Sequence, residues 1–158
     1  MDKPALYMET TIPSFMLAEP SRDLVANARQ EITRDWWRRD HARFDVFISE
    51  TVLDEAVLGD HAAAAKRRDF LAQFPRLMPN PEVKRLASLY IQQHIVPAEK
   101  PGDAVHLAFA AAYRIQFLCT WNFRHLANAV VLCRLRKLNE KRGLFTPQVC
   151  TPEELLGE

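Results

Sequence analysis

The chain lacks the glycine-rich loops on which several common classes of enzyme depend. It contains only four glycines in 158 residues, and none of them belongs to a GxGxxG, GxxxxGKS or GxxxxGKT pattern. These patterns hold dinucleotides and nucleoside triphosphates at the start of a helix, so their absence argues against both ligand classes. A DxD pair after the first apolar stretch, which some phosphatases use, is also absent. We therefore give little weight to a nucleotide- or cofactor-dependent enzyme.

Cysteine is equally scarce. The three cysteines lie far apart, and none forms a CxxC pair (Cys119, Cys133 and Cys150). All three stand in apolar surroundings, which predicts buried, reduced thiols rather than a disulfide framework or a thiolate metal site.

The net charge is small and long apolar runs are missing. The formal net charge is +1, which gives no general attraction to nucleic acids or membranes, so polyanion binding would require a local basic patch. No apolar run approaches the ~20 residues that cross a bilayer. No charged segment followed by an apolar one opens the chain. We expect a soluble, cytoplasmic protein with no membrane partner.

What the chain does contain is typical of a globular protein. Hydrophobic residues make up 48% and charged residues 26% of the sequence, which is an ordinary balance for a folded domain. A chain of this length buries a sizeable core as one unit. We expect residues 1–158 to form a single domain.

Short apolar stretches alternate with helical stretches along the chain. The predicted strands cover residues 4–8, 44–48, 77–78, 115–119 and 148–150. Residues 9–13 end the first strand, and the predicted helices are capped by Ser21, Ser49 and Asn80 or lie at 60–74, 103–112, 128–142 and after Thr151. This alternation predicts a parallel sheet with helices on both faces, and so an α/β fold.

Two details of the helices matter later. The helix after Ser21 should bury an apolar stripe that consists of Leu24, Val25, Ala28, Ile32 and Trp36, because these residues recur at helical spacing. Pro101 and Gly102 should form a turn that stops the preceding segment. Asp103 then lies in the first turn of an alanine-rich helix.

Four polar side chains can reach one edge of this sheet. Glu9 follows the first strand and Asn122 follows the fourth, so both lie where the strands of a parallel sheet end, which is where ligands bind in such folds. Glu55 and Asp103 reach the same edge only if their helices start there. Carboxylates gathered in one pocket repel each other unless a cation neutralises them. Oxygen ligands suit Mg²⁺ or Mn²⁺, which can activate water and stabilise charge on a phosphoryl oxygen.

Each residue also has a purely structural interpretation. Asp103 can stabilise its helix through the helix dipole, Glu55 can be a solvated helix residue, and Asn122 can end a strand in a turn. From the residues alone, both interpretations remain open.

The order and setting of these residues resemble those of PIN domains, and most closely the VapC-like toxin branch. The resemblance rests on Met8-Glu-Thr-Thr-Ile-Pro-Ser14 after the first strand and on Ser49-x-x-x-Leu53-x-Glu55 after the second. It rests also on Gly102-Asp-Ala-Val-His-Leu-Ala108 and on Thr120-Trp-Asn-Phe-Arg-His125. Together with the Cys150–Leu156 ending, these segments span nearly the whole chain.

The resemblance implies a three-layer α/β/α sandwich with a parallel sheet of about five strands, that is, a single PIN-like domain. It implies an endoribonuclease that uses Mg²⁺ or Mn²⁺, is often a homodimer and is paired with an inhibitory antitoxin. Glu9, Glu55, Asp103 and Asn122 take the positions of the acidic quartet that binds the metal and carries catalysis. Glu9 and Asn122 stand where the family usually has aspartate. Asn122 keeps a ligand oxygen but loses a charge.

Neighbouring residues have candidate roles in substrate binding. Thr10 occupies a position where the family offers a hydroxyl for water or phosphate, although it can equally bond to its own backbone. Arg124 and His125 follow Asn122 closely enough to meet an RNA phosphate, and His125 can alternatively start a helix. For His106 we favour packing or a hydrogen bond to the site over metal ligation.

Two basic stretches are weaker candidates for RNA binding. Four arginines surround a pair of tryptophans between residues 34 and 43, and such a mixture can bind phosphates and stack bases. We favour the alternative that this is a solvated helix face whose tryptophans pack in the core or in a dimer interface. The basic residues between 134 and 142 also indicate a solvated face.

The sequence therefore supports two alternative hypotheses for the function, which belong to different classes. The first is a metal-dependent endoribonuclease of the toxin–antitoxin type. The second is a catalytically weakened PIN-like protein that binds RNA or a partner without cutting, which the altered residues Glu9 and Asn122 favour.

Overall fold

The computed structural model describes residues 2–157. Within them the strands are β1 (Ala5–Met8), β2 (Asp45–Ser49), β3 (Arg76–Leu77), β4 (Phe117–Cys119) and β5 (Gln148–Cys150). The helices are α1 (Thr11–Leu17), α2 (Leu24–Arg39), α3 (Glu50–Ala56), α4 (His61–Leu71), α5 (Pro81–Gln92), α6 (Pro101–Ala112) and α7 (Ala129–Lys141). Short 3₁₀ turns occur at His41–Arg43 and Glu153–Leu155. Along this range no helix is both long and apolar enough to span a membrane.

The strands form one parallel sheet in the order β3-β2-β1-β4-β5. The central strand β1 pairs with β2 on one side, through Leu6 and Val46, and with β4 on the other, through Leu6 and Phe117. The predicted α/β fold with about five parallel strands is confirmed. The chain builds the sheet outward from β1 in one direction and then returns to its other side, so a topological switch point lies between β1 and β4, where such folds bind ligands.

Helices cover both faces of the sheet. Helices α5 and α6 pack against each other, and α6 meets the sheet through the stacking of Phe109 on Tyr7 of β1. Helix α1 packs against α2 and α4, and Trp36 of α2 packs against Phe44 just before β2. Helix α6 is buried on most of its surface (Ala104, His106, Leu107, Ala108, Phe109, Ala110 and Ala111), because its alanines allow close contact on several sides.

The side-chain caps are largely those that the sequence predicts. Ser49 and Asn80, which the sequence predicts as caps, each accept a hydrogen bond from a backbone N–H in the first turn of their helices. Asn128 caps α7 in the same way, although no cap was predicted there. The prediction for Ser21 is wrong, because Asp23 caps α2 by accepting from the Ala26 N–H. The Ser21 hydroxyl instead accepts from the backbone of Asp23.

Several local predictions are wrong for identifiable reasons. Residues 11–17 form helix α1 directly after β1, because a proline in the first turn, here Pro13, sacrifices no helical hydrogen bond. Pro101 and Gly102 likewise belong to α6 rather than to a preceding turn. Cys133 is exposed on α7 and not buried, whereas the other two cysteines are buried, free thiols.

The apolar stripe predicted for α2 is only partly correct. Leu24 and Val25 are exposed, because the first turns of α2 extend beyond the core. The buried residues of this helix are Gln30, Thr33 and Trp36. Gln30 tolerates burial since its side chain bonds to the backbone at Glu19 and Ser21.

Candidate active site

The candidate site lies at the edge of the sheet where β1 and β4 end. Glu9 follows β1, and its N–H donates to the carbonyl of Cys119, the last residue of β4. Asn122 follows β4, Asp103 lies in the first turn of α6, and Glu55 lies within α3, which starts directly after β2. The fold thus brings the four residues of the predicted quartet to one edge. They form two groups.

The first, which we call the inner group, consists of Glu9, Glu55 and His106. One ligand atom from each of these residues lies within 4.8 Å of the others. Glu9 and His106 are buried and Glu55 is half-buried. Two carboxylates at this spacing offer the oxygen donors that suit a hard divalent ion.

Threonine side chains hold Glu9 in place. Its Oε1 accepts from the Thr11 hydroxyl at 2.5 Å, from the Thr11 N–H at 3.1 Å and from the Thr120 hydroxyl at 2.6 Å. Its Oε2 accepts no hydrogen bond from any described residue. Glu9 therefore has one oxygen saturated by protein donors and one with free lone pairs.

Glu55 shows the same division between its two oxygens. Its Oε1 accepts from the Thr10 hydroxyl and from His106 Nε2, both at 2.6 Å. No donor within residues 2–157 reaches Oε2. A Cβ on Gly102 would lie 3.0 Å from this oxygen, so the glycine lets the carboxylate lie close to the start of α6, and a larger residue would push the carboxylate away. The positive end of that helix favours a negative charge there.

A buried chain of hydrogen bonds orients His106. Its Nδ1 lies 2.6 Å from the Tyr7 hydroxyl, which lies 2.7 Å from the Ser49 hydroxyl. The Val52 N–H donates to Ser49 in turn. Because an ionised carboxylate can only accept, His106 Nε2 carries a proton and donates it to Glu55. In the neutral ring, Nδ1 then accepts from Tyr7.

The electrostatics of the inner group couple His106 to the carboxylates. Burial disfavours the charged ring, but the hydrogen bond to Glu55 and the charges of Glu9, Glu55 and Asp103 outweigh it, so the pKa of His106 is raised. Burial would raise the pKa of Glu55, yet the bond and charge of His106 and the Thr10 hydroxyl lower it overall. Burial raises the pKa of Tyr7 well above its usual value, so this hydroxyl stays protonated.

The second, which we call the outer group, consists of Asp103, Asn122 and His125. Asp103 Oδ2 lies 2.9 Å from His125 Nδ1, and its Oδ1 accepts from Asn122 Nδ2 at 3.2 Å. The Asn122 Oδ1 accepts from the backbone N–H groups of Arg124 and His125. Both oxygens of Asp103 therefore already have protein partners.

The other residues considered from the sequence occupy distinct places. The Thr10 hydroxyl donates a hydrogen bond to Glu55. Arg124 is exposed and lies two residues after Asn122 in the chain. The two tryptophans of the arginine–tryptophan stretch pack within the protein, since Trp36 is fully buried and Trp37 stacks on His41. Thr11 and Thr120 are not among the site residues predicted from the sequence. Their one signal is that Thr120 directly follows β4 and Thr11 lies three residues after β1, at the switch point.

Comparisons with known proteins bear on the fold. No family model matches the chain, and no curated protein matches it by sequence. Among solved structures, the chain is similar to one in the crystal structure of VapBC2 from Rickettsia felis bound to a DNA fragment from their promoter. The TM-score is 0.59 and the identity 13%, over 93% of this chain and 98% of that chain. The shared feature is the fold, which agrees with the PIN-like architecture that the sequence resembles.

Proposed function

We propose that this protein is a metal-dependent endoribonuclease of the toxin–antitoxin type, built as a single PIN-like domain over residues 1–158. The observation that carries the proposal is the inner group. Two carboxylates converge beside a buried imidazole, and each keeps one oxygen that accepts no hydrogen bond from residues 2–157. Two such oxygens at the switch point of a parallel sheet fit a hard divalent cation.

The residues that would hold Mg²⁺ or Mn²⁺ are Glu9 and Glu55, with Asp103 and Asn122 completing the set through water or after rearrangement. Such an ion supplies an activated water and positive charge next to the scissile phosphate. Thr11 and Thr120 fix Glu9, while Thr10 and His106 fix Glu55. These bonds point the free oxygens of the carboxylates in a set direction before the ion arrives.

Substrate binding falls to the exposed residues beside the outer group. Arg124 carries a positive charge next to Asn122, and His125 is held by Asp103. We assign both to the phosphates of the RNA. Thr10 contributes indirectly by holding Glu55.

We extend the proposal to partners by analogy with the structural neighbour. That neighbour is a VapBC2 complex bound to promoter DNA. For this chain we propose an antitoxin protein that blocks the site, a homodimeric state and a cytoplasmic location.

The second candidate is the catalytically weakened member that binds RNA or a partner without cutting. Asn122 favours it, because its amide donates to Asp103 where an aspartate would add a charge. In this state each oxygen of Asp103 already has a protein partner.

The experiment that separates the two candidates is RNA cleavage with excess Mn²⁺, together with RNA binding by the same preparation. We expect cleavage by the wild type, loss of cleavage in Asp103→Asn and unchanged cleavage in Glu140→Gln, a control that removes an exposed carboxylate on α7. If the wild type binds RNA but leaves every tested RNA intact, the ribonuclease proposal is wrong and the binding function stands in its place.

A further inference from the structure

We propose that the ring of Phe123, which lies beside Arg29 and precedes Arg124 in the chain, is a stacking surface for one base of single-stranded RNA at the entrance of the site. This inference rests on the proposed function and specifies its substrate. A planar exposed ring flanked by positive charge is the usual means of binding single strands, because every base has a face that stacks.

Phe123 is exposed yet firmly held. Its side chain is 42% exposed, and a single exposed apolar residue needs no explanation by itself. Here, however, the loop is fixed at several points. Asn128 Nδ2 donates to the Phe123 carbonyl, and the N–H groups of Leu126 and Ala127 donate to the carbonyl of Asn122. A ring that a rigid loop presents to solvent loses little entropy when a base stacks on it.

Arg29 of α2 supplies the first positive charge. Its guanidinium lies 4.9 Å from the centre of the Phe123 ring and 5.7 Å from that of Trp121. Within residues 2–157 Arg29 forms no ion pair, so its charge is not neutralised by a carboxylate. A guanidinium held over aromatic rings in this way keeps its outer N–H groups available for a phosphate.

Arg124, the next residue in the chain, supplies the second charge near the ring. It is exposed and has no acidic partner in the described part of the chain. The residue before Phe123, Asn122, bonds to Asp103, so the ring lies directly beside the outer group. A base stacked on Phe123 would place its neighbouring phosphate next to the candidate catalytic residues.

A second copy of this chain is the competing occupant of this surface. Leu24 and Val25 are exposed about one turn before Arg29 on α2, and apolar residues at this position could extend a protein interface. We favour RNA because Arg29 lies at the ring, Arg124 follows it in the chain, and neither forms an ion pair within residues 2–157, while an acidic, metal-suited site adjoins them. An interface between identical copies would bring these like charges close to one another.

The test measures binding of a labelled single-stranded RNA of about 10 nucleotides, a typical length for such sites, by fluorescence anisotropy with a chelator present to prevent cleavage. We expect Phe123→Ala and Phe123→Leu to weaken binding about tenfold, and Phe123→Trp to bind at least as tightly as the wild type. Arg29→Gln should weaken binding and reduce its salt dependence. Val130→Ala, at another exposed apolar residue, in α7, should change nothing.

Two results would overturn the inference. One is wild-type affinity in Phe123→Leu, which keeps the apolar bulk but loses the aromatic face. The other is unchanged RNA affinity in Phe123→Ala together with loss of a dimer in sedimentation, which would assign the surface to a second copy. Mn²⁺ binding and cleavage are scored separately. If they are absent while RNA binding still depends on Phe123, the ribonuclease proposal fails and the stacking surface stands.

Discussion

The inner and outer groups bring similar residues to the same edge of the sheet, but their chemistry differs. Each contains carboxylate and histidine side chains, and in each a histidine bonds to a carboxylate (His106 to Glu55, His125 to Asp103). In the inner group, hydroxyl, imidazole and backbone N–H donors bond to one oxygen of each carboxylate, and no described residue donates to the other. In the outer group, Asn122 and His125 occupy both oxygens of Asp103.

The difference shows how one side chain, that of Asn122, can divide a site. An aspartate at position 122 could not donate to Asp103, and the two carboxylates would repel each other unless a cation lay between them. With Asn122 present, the outer group is hydrogen-bonded without any ion. In the inner group, the Oε2 atoms of Glu9 and Glu55 accept no hydrogen bond from the described residues. The inner group is therefore the better candidate for the metal site.

The largest expected effect concerns stability and contrasts the two histidines. His106→Leu should reduce the free energy of unfolding by about 3 kcal/mol, because Tyr7 and Glu55 lose a buried partner. His125→Leu should cost only about 1 kcal/mol, since its pair with Asp103 is partly exposed. Urea denaturation measures both. Equal losses would mean that the inner group is no more tightly organised than the outer one.

Next in size is the effect of single carboxylates on metal affinity. Glu9→Gln should weaken Mn²⁺ binding more than about 100-fold, because it removes a direct ligand of the ion. Asp103→Asn should weaken Mn²⁺ binding about tenfold, because Asp103 acts on the ion only through water or other residues. Isothermal titration calorimetry gives both values, with Glu140→Gln as the control. A larger loss of Mn²⁺ affinity in Asp103→Asn than in Glu9→Gln would place the ion in the outer group and contradict the assignment of the metal to the inner group.

A smaller effect on metal affinity should follow from adding a negative charge at position 122. Asn122→Asp should tighten Mn²⁺ binding about tenfold and lower the melting temperature of the metal-free protein, because a second carboxylate then faces Asp103. Asn128→Asp adds the same charge while preserving the cap oxygen of α7, and it should leave Mn²⁺ affinity unchanged. If Asn122→Asp binds Mn²⁺ no more tightly than the wild type, lost charge is not what separates the groups.

The smallest effect is a pH dependence that is specific to the inner group. The pKa of His106 is raised above its usual 6.5, so its contribution to stability is full below pH 6.5 and disappears as pH rises through the folded value. The pKa of Glu55 is lowered below 4.5, so its contribution is full above pH 4.5 and disappears as pH falls through the folded value. Both contributions coexist between these two limits.

We therefore expect the stability difference between the wild type and His106→Gln to be greater at about pH 5.5 than at about pH 9. Urea denaturation at both pH values measures it, and His61→Gln, which removes an exposed histidine of α4, is the control. A difference that grows toward high pH would have the wrong sign for the Glu55–His106 pair.

The sequence predicts the framework well because strands and caps are local signals. Residues 4–8 are the first of the apolar stretches that alternate with helical segments, and they form β1. Ser49 and Asn80 cap the helices that were predicted to start at them. The location of the site follows from the same signals, since Glu9 and Asn122 end adjacent strands. Helix α1 could not be foreseen, because Thr10, Thr11 and Pro13 are typical of both a strand end and a helix start.

The division of the site into two groups could not be predicted from the sequence. It depends on bonds between residues far apart in the chain, such as His106 with Tyr7 and Asp103 with Asn122. No spacing rule relates these pairs. The one local signal was a histidine in an alanine-rich, buried helix, which must find hydrogen-bond partners inside the fold.

The most direct measurement is the anomalous density of a crystal soaked in Mn²⁺. If the inner group is the metal site, a peak should appear between Glu9 and Glu55, on the side of their unpartnered oxygens and next to Gly102. A peak at Asp103 and His125 with none between Glu9 and Glu55, or no peak at all at this edge of the sheet, would contradict that assignment.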